Sequence, residues 1–386
     1  MSSAIQPVPA EAVESRLAAI VLAAGYSSRM AEFKPLLPLA GSTALERCIG
    51  LFCAACVAEV IVVLGHRAEE LQPLAERAGA RCIFNSRFEQ GMFSSISAGS
   101  RALSSGVEAA FVLPADIPLV RPNTIRQMAS VFVTRRDGIV YPVFEGRRGH
   151  PPLINRKILA EAAEEGAAGP LFDLLARHES EAINLLVADL GIHMDMDTPA
   201  EYDALRVMAD RRDIPTRAEC DAILTTQSVE PTQVRHSRKV AEVAERITQA
   251  LTHCGLSLNL DLVRAGALLH DLAKGRPEHA SVGAGILRSM DFSRVATVVG
   301  AHTDLDFSGG RLDESAIVYL ADKLVRGENV VTIDQRFAPA LARFSDNPHA
   351  LHAAQSRMAT AQAVALAVEK RLGAPLASVV GEKGKP

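Results

Sequence analysis

The sequence predicts an α/β domain built on a mostly parallel sheet, followed by an all-α domain. Short apolar runs alternate with helical stretches over residues 17–200, whereas from about residue 217 only helical periodicity remains. Strands separated by helices of about ten residues favour a parallel sheet that is covered on both faces. The stretch 205–219, rich in Arg and Asp, separates the two patterns. We therefore expect domains at residues 15–208 and 217–372.

Each element follows from its own pattern. Strands are expected at 17–22, 59–64, 81–84, 109–114 and 138–143, and helices near 44–55, 68–78, 94–103 and 122–133. In the second half, an apolar stripe at helical spacing runs through 240–251, 262–273 and 314–325. Because ligands lie at the carboxyl ends of parallel strands, the chemistry should be found in the loops after residues 22, 64, 84 and 114.

The composition excludes several classes of protein. Of the 386 residues, 48% are hydrophobic and 22% charged, as in ordinary globular chains. The 41 basic and 45 acidic side chains leave no basic excess for nucleic acid, and the absence of Trp disfavours base-stacking platforms. No apolar stretch approaches the ~18 residues of a membrane span, and residues 1–16 lack the pattern of a secretory signal. We expect a cytoplasmic protein with six reduced cysteines and no nucleic-acid or membrane partner.

A first candidate site follows the first strand. The small residues from Leu22 through Ala23 and Ala24 to Gly25 let the backbone approach a ligand, and successive N–H groups there can bind an anion. Arg29 and Lys34 add positive charge suited to a polyphosphate. The pattern is neither the common NTPase loop nor a dinucleotide-binding motif. A tight turn followed by a solvated basic loop is the simpler alternative.

The segment LAAGYSSRM, followed three residues later by KPLLPLAG, resembles the N-terminal signature of nucleotidyltransferases that activate small molecules with an NTP. It is most similar to molybdenum cofactor cytidylyltransferases and their guanylyltransferase relatives. The resemblance covers roughly residues 17–207 and implies a Rossmann-like nucleotidyltransferase domain. Four further segments resemble motifs of this family: an acidic metal-binding segment (114–118), a base and ribose segment (90–96, with Gly91, Ser94 and Ser95), an acceptor-side motif (148–152, with His150 and Pro151) and a closing acidic motif (195–199).

This resemblance implies transfer of CMP from CTP to the molybdenum cofactor (molybdopterin), with release of pyrophosphate. Such a transfer needs Mg²⁺ on carboxylates and cations along the triphosphate, which Arg29 and Lys34 would supply. Asp116 is the best candidate Mg²⁺ ligand and Asp197 the second, although Asp195 could exchange roles with Asp197. The alternative for Asp116 is a cap on the next helix or turn, and for Asp197 an N-cap.

The choice of nucleotide and acceptor is left open by the residues. The guanylyl branch usually has two glycines where this chain has Ala24-Gly25, so Ala23-Ala24 favours CTP over GTP. One alternative is GTP or another phosphorylated acceptor. A different alternative is a non-catalytic module that binds molybdenum cofactor and docks on a molybdoenzyme. A pure binder has no need of Arg29, Lys34 and Asp116, which favours the enzyme.

A second candidate site lies in the helical half. Six His and Asp residues fall within 87 residues, and these side chains together suit Mn²⁺, Fe or Zn²⁺. They are His236, His270, Asp271, His279, His302 and Asp322. The His270-Asp271 pair is expected inside the apolar helix 262–273, where a cation would offset the cost of burial. Lys274, one turn after His270 on the same face, is expected to meet a phosphate oxygen in a catalytic role.

This arrangement resembles the HD-domain phosphohydrolase superfamily over about residues 217–330. The H…HD…D core corresponds to His236, His270-Asp271 and Asp322, and the other two histidines match those of members that hold two metals. The segments ALLHDLAK, AHTD and YLADKL resemble the branch that hydrolyses dinucleoside polyphosphates. The resemblance implies metal-dependent hydrolysis of a nucleotide, with Asp271 as the bridging ligand. An inactive HD domain is the alternative.

Overall fold

The computed structural model describes residues 16–26, 32–136, 138–164 and 169–381, and the chain divides between Arg211 and Arg212 into two compact units. As predicted, the first unit is α/β and the second is mainly helical. The strands are β1 Leu17–Ala23, β2 Pro38–Leu39, β3 Ser42–Thr43, β4 Glu59–Leu64, β5 Arg81–Phe84, β6 Ala109–Pro114, β7 Ile139–Phe144, β8 Arg147–Arg148, β9 Leu153–Asn155, β10 Ala182–Leu186, β11 Val325–Arg326 and β12 Asn329–Val330.

The helices of the first unit are α1 Ala44–Ala54, α2 Ala68–Arg77, α3 Met92–Ala102, α4 Pro122–Arg135, α5 Arg156–Ala163, α6 Leu171–Arg177 and α7 Pro199–Asp210. Those of the second are α8 Arg217–Thr226, α9 Pro231–His253, α10 Leu260–Leu269, α11 His279–Ser289, α12 Ser293–Ala301, α13 Glu314–Lys323, α14 Ile333–Arg343, α15 Pro348–Leu372 and α16 Ala377–Val380. None of the helices in the described ranges is long and apolar enough to cross a membrane.

The main sheet of the first unit has the strand order β10-β7-β9-β6-β1-β4-β5, with β8 paired to β7. Strand β1 pairs in parallel with β4 and with β6. Strand β9 is antiparallel to both of its neighbours, which makes the sheet mixed. Neither β9 nor β10 was expected from the sequence. Strand β9 has too few residues to show the two-residue alternation of a strand.

Strand β1 lies at the point where the order of the strands reverses. All seven of its residues are buried, as expected for a strand covered on both faces. After β1 the chain continues to β4, which pairs with one edge of β1. Strand β6 pairs with the other edge of β1, with Leu22 of β1 in register with Pro114 of β6. The loops after β1 and β6 therefore diverge from a crevice at the carboxyl edge, where ligands bind in sheets of this kind.

The second unit is a helical bundle centred on α9, α10 and α13, which pack against one another. Gly266 lets α10 approach α12 closely, since a Cβ there would lie 2.5 Å from Val298 Cγ1. Helix α10 ends at Leu269, so the expectation that His270 and Asp271 lie inside it was wrong. Nδ1 of His270 donates to the carbonyl of Ala267 at 2.8 Å, and the side chain thereby satisfies a carbonyl at the helix end.

Candidate functional sites

A cavity of about 330 Å³ opens at the carboxyl edge of β1 and β6. This volume is in the range of small-molecule sites, ~300–1,000 Å³. Eight of the predicted nucleotide-binding residues line it: Leu22, Ala23, Ala24, Gly25, Lys34, Gly91, Ser95 and Asp116. The strand ends and the turn before α3 thus form one concave surface, as the loop positions predicted.

Lys34 bridges two carboxylates beside this cavity. Its Nζ lies 2.5 Å from Asp197 Oδ1 and 3.3 Å from Asp116 Oδ2, although the two aspartates are far apart in sequence. Burial by itself would lower the pKa of Lys34, but the hydrogen bond to Asp197 and the charge of Asp116 outweigh it and raise the pKa. The ammonium therefore keeps its charge at neutral pH.

Neither aspartate is a helix cap. Helix α7 is capped by Thr198 in a capping box with Glu201, and α4 begins after Arg121. The sequence Thr-Pro-Ala-Glu at 198–201 carries the capping-box signature that identifies Thr198 as the cap. Both carboxylates are thus free of helix capping and are joined through Lys34.

Four predicted residues that the structure describes lie outside the cavity lining, and one of them is Asp197, the partner of Lys34. The Ser94 hydroxyl donates to the Arg87 and Gly91 carbonyls and accepts from Asn85 Nδ2 at 2.9 Å. His150 is half-buried, and its buried Nδ1 atom has no hydrogen-bond partner among the described residues. Burial lowers the pKa of His150, so its ring is neutral at pH 7. Pro151 follows it and is buried, whereas Arg29 lies outside the described residues.

Several cavity residues were missed by the sequence reasoning. Tyr26 packs against Phe88 with ring centroids 5.4 Å apart, and its hydroxyl donates to Glu89 Oε1 at 3.0 Å. All three line the cavity. Gly65 permits this packing, since a Cβ at that position would lie 2.7 Å from Phe88 and 2.8 Å from the Ala24 Cβ. Their positions in the sequence could have identified them. Tyr26 directly follows the loop of residues 22–25, and Phe88 and Glu89 lie just before Gly91.

The six predicted His and Asp side chains converge in the second unit, and we call them the histidine cluster: His236, His270, Asp271, His279, His302 and Asp322. Two groups of ligand atoms within 4.8 Å of one another share Asp271, one with His236 and His270, the other with His279 and His302. Asp322 Oδ1 lies 3.3 Å from His236 Nε2 and 3.6 Å from His270 Nε2.

Backbone carbonyls orient three of these imidazole rings. The Nδ1 atoms of His236, His270 and His302 lie 2.9, 2.8 and 2.7 Å from the carbonyl oxygens of Gly327, Ala267 and Val299. A carbonyl only accepts, so each Nδ1 carries the proton and each Nε2 points at the cluster. Such contacts are the usual supports of metal-binding histidines. Burial and the neighbouring His302 lower the pKa of His279, which keeps that one ring neutral at pH 7.

The donor atoms fit a divalent metal ion. His279 Nε2 and His302 Nε2 lie 3.2 Å apart, and each lies 3.5 Å from Asp271 Oδ1. A point equidistant from these three atoms is about 2.0 Å from each, the length of a metal–imidazole bond. Asp271 Oδ1 and His270 Nε2 are buried and have no hydrogen-bond partner among the described residues. Orphaned buried atoms are costly, and a bound cation would satisfy them.

Charged neighbours surround the cluster. Lys274 Nζ donates to Asp271 Oδ2 at 2.8 Å, so in this structure it meets a carboxylate. Lys323 Nζ donates to Asp322 Oδ2 at 2.6 Å, and Gln233 Nε2 donates to Asp271 Oδ2 at 2.6 Å. Burial would lower the pKa of His270, but the carboxylates of Asp271 and Asp322 raise it to about 10. Lys323 was missed, although it directly follows Asp322 in the sequence.

Comparisons with known proteins identify the same two regions. A family model for the MobA-like NTP transferase domain matches residues 19–182, and one for the HD domain matches residues 234–327. The molybdenum cofactor cytidylyltransferase of Escherichia coli (strain K12) is 29% identical over 189 residues, which are 49% of this chain and 94% of that protein. A probable molybdenum cofactor guanylyltransferase of Mycobacterium avium (strain 104) is 30% identical over 194 residues, 49% of this chain and 95% of that protein.

Among solved structures, a nucleotidyl transferase from Methanothermobacter thermautotroptrophicus aligns with a TM-score of 0.46 and 24% identity. The alignment covers 51% of this chain and 99% of that structure. The similarity to each of these three proteins thus spans nearly their whole length and about half of this chain.

Proposed function

The chain belongs to the MobA-like NTP transferase family through its first unit and carries an HD domain in its second, and from this premise we propose two activities. The first unit transfers CMP from CTP to the molybdenum cofactor and releases pyrophosphate. The second hydrolyses a phosphate bond of a nucleotide with divalent metal ions. The two units thus carry different reactions at phosphorus.

The observation that carries the first proposal is the bridge from Lys34 to Asp116 and Asp197 at the rim of the cavity. The charged ammonium is suited to the β- and γ-phosphates of an incoming nucleotide, and the backbone of residues 22–25 can approach those phosphates closely. The carboxylates freed from Lys34 would hold Mg²⁺, which supplies charge neutralisation for the departing pyrophosphate. The acceptor's own phosphate is the nucleophile, so the chain need not supply one.

The preference for CTP rests on Ala24. Ala24 is one of the residues that line the cavity, and it carries a methyl group that a glycine would lack. A narrower pocket favours the smaller pyrimidine base. Names of relatives do not decide between the bases, because the cytidylyl and guanylyl relatives are 29% and 30% identical.

His150 is proposed as an acceptor-binding residue with Pro151. Its neutral ring has a buried Nδ1 without a partner among the described residues, which can bond to a polar group of the acceptor. Arg29 is proposed as a second cation for the triphosphate on the sequence pattern alone.

The histidine cluster carries the second proposal. Two groups of ligand atoms that share Asp271 suit a pair of ions of Mn²⁺, Fe or Zn²⁺, which together would activate water and neutralise the attacked phosphate. Lys274, half exposed at the rim, is placed to exchange its bond with Asp271 for a bond to a phosphate oxygen.

Pyrophosphate release tests the transferase directly. Purified chain is mixed with Mg²⁺, reconstituted molybdenum cofactor and either CTP or GTP, and Asp116→Ala serves as the control variant. We expect acceptor-dependent release with CTP that the variant loses. Release with GTP alone would overturn the base preference, and no acceptor-dependent release with either nucleotide would overturn the transferase.

Loss of function tests the hydrolase. The variant carrying His270→Ala and Asp271→Ala should no longer hydrolyse any nucleotide that the wild-type chain hydrolyses in the presence of Mn²⁺. If the variant handles every nucleotide as the wild type does, the second activity is not at this cluster.

A further inference from the structure

The helices after the matched HD region form one wall of the cavity over the histidine cluster. The HD model ends at residue 327, whereas α14 begins at Ile333. Arg336, Phe337 and Ala340 of this helix line a cavity of about 190 Å³ together with Asp271 and other members of the cluster. The C-terminal segment therefore reaches the site.

This wall is held firmly in place. Phe337 packs with Tyr319 and Ala361 in a small apolar core that joins α14 to α13 and α15. The Tyr319 hydroxyl donates to the carbonyl of Arg357 at 2.9 Å. Since Asp322 lies on the same helix as Tyr319, this packing fixes α14 relative to the histidine cluster.

Four cations line the cavity, and three of them are engaged with carboxylates. Lys274 donates to Asp271, Lys323 donates to Asp322, and Arg357 pairs with Asp304 through two bonds of 2.7 and 3.1 Å. The fourth, Arg336, has its nearest ion-pair contact with Asp322 at 3.9 Å, beyond hydrogen-bond distance. Its Nε is buried and has no hydrogen-bond partner among the described residues.

A guanidinium in this position is suited to a phosphate. It lies about 4 Å from an oxygen of the cluster, so a phosphoryl group held there would come within its reach. The planar fork can donate two parallel hydrogen bonds to phosphate oxygens, which a lysine cannot do.

We propose that Arg336 binds the phosphoryl group held at the histidine cluster, so that α14 adds a phosphate-binding residue to a cluster that lies between the start of α9 and the end of α13. The inference rests on the proposed phosphohydrolase and names one of its substrate-binding residues. The ligand is a tetrahedral phosphate, either a terminal phosphoryl group of the substrate or the inorganic phosphate released from it.

Calorimetric titration of the full chain with inorganic phosphate in the presence of Mn²⁺ tests the proposal. Arg336→Gln is compared with the wild type and with Arg343→Gln, which removes an arginine from the last turn of the same helix, outside the cavity lining. Asp271→Asn identifies the component of phosphate binding that belongs to the histidine cluster. The amount of bound Mn²⁺ and the melting temperature are measured for each variant.

We expect Arg336→Gln to weaken this component about tenfold or more, as for loss of a charge-assisted bidentate contact, with Mn²⁺ content and melting temperature unchanged. The phosphate affinity of Arg336→Lys should lie between those of the wild type and Arg336→Gln. The affinity of Arg343→Gln should equal that of the wild type. Unchanged affinity in Arg336→Gln, an equal loss in Arg343→Gln, or a parallel loss of Mn²⁺ would overturn the proposal. The proposal would also be overturned if phosphate binding by the wild-type chain had no component that Asp271→Asn removes.

The same data separate this inference from the proposed function. Phosphate binding that depends on Arg336 in a chain that hydrolyses no nucleotide would retain the inference and remove the phosphohydrolase. Hydrolysis that persists with unchanged phosphate affinity in Arg336→Gln would retain the phosphohydrolase and remove the inference.

Discussion

In the first unit one ammonium holds two carboxylates together, whereas in the second unit four imidazoles and two carboxylates converge on shared points. Lys34 occupies the position between Asp116 and Asp197, with hydrogen bonds of 3.3 and 2.5 Å. The histidine cluster instead contains a buried carboxylate oxygen and a buried imidazole nitrogen without hydrogen-bond partners among the described residues.

If the two sites hold the metal ions proposed above, this difference implies two modes of binding. Two carboxylates already paired with one lysine gain less from a free cation, so metal should arrive together with a triphosphate that draws Lys34 away. Oriented imidazoles with orphaned neighbours are stabilised by a cation as soon as it binds. The first site is therefore expected to assemble with its substrate, and the second to be formed in advance.

The largest expected effect is that of Asp271→Asn, because Asp271 belongs to both groups of ligand atoms. We expect Mn²⁺ binding and nucleotide hydrolysis to fall by at least ~100-fold, the upper range seen for outer partners of metal ligands. Pyrophosphate release by the first unit should be unchanged. Both activities are assayed on one preparation, with the exposed Asp306→Asn as the matched control. Full hydrolysis by Asp271→Asn would refute the role of the cluster.

The variant expected to affect only the first unit is Lys34→Met, which removes the ammonium and keeps most of the side-chain volume. We expect nucleotidyl transfer to fall about 10²–10³-fold, as when one donor to developing charge is removed, while hydrolysis stays at the wild-type level. The exposed Lys157→Met in the same unit is the control. An unchanged rate of transfer would show that Lys34 only balances the two aspartates.

A smaller effect is expected from His178, a residue of the first unit that lines neither cavity. A hydrogen bond to Glu181, opposed by burial and reinforced by Glu161, raises its pKa. A raised pKa means that this contact stabilises the fold fully below the ordinary value of 6.5 and loses its contribution as the pH rises through the raised value. The contribution is less than ~1 kcal/mol, because solvent screens the pair.

Hydrogen exchange followed by mass spectrometry checks this prediction, because it measures the protection of the two units separately. Peptides from β7 and β10 of the wild type should lose protection between pH 6 and 8, after correction for the intrinsic exchange rate, and His178→Gln should lose less. The exposed His253→Gln in the second unit is the control. Identical pH dependence in His178→Gln would contradict the assigned contact.

The sequence predicted the elements that carry strong local patterns. Strands β1, β4, β5 and β6 have the expected bounds to within one residue, because each is a short, mainly apolar run between polar turns. The end of α10 could not be predicted in this way. The apolar pattern continues past Leu269, but the His270 side chain takes up the Ala267 carbonyl. A side-chain bond thus ends a helix that the periodicity would extend.

The residues of the candidate sites also divide into those that a sequence pattern identifies and those that only the structure identifies. The six residues of the histidine cluster could be identified from residue type and spacing, and the structure brings them together. Arg336 could not be identified, because it lies beyond the matched HD region on a helix whose pattern shows only packing. Its position depends on the apolar contacts of Phe337 with Tyr319, which are tertiary and leave no motif in the sequence.

The number of Mn²⁺ ions bound per chain, with and without CTP, tests the difference between the two sites most directly. We expect two tightly bound ions without nucleotide and a third that binds with CTP. The third should be lost in Asp116→Ala and kept in Asp271→Asn, which should lose the first two. A third ion of equal affinity without CTP, or no tight ion without CTP, would contradict the account.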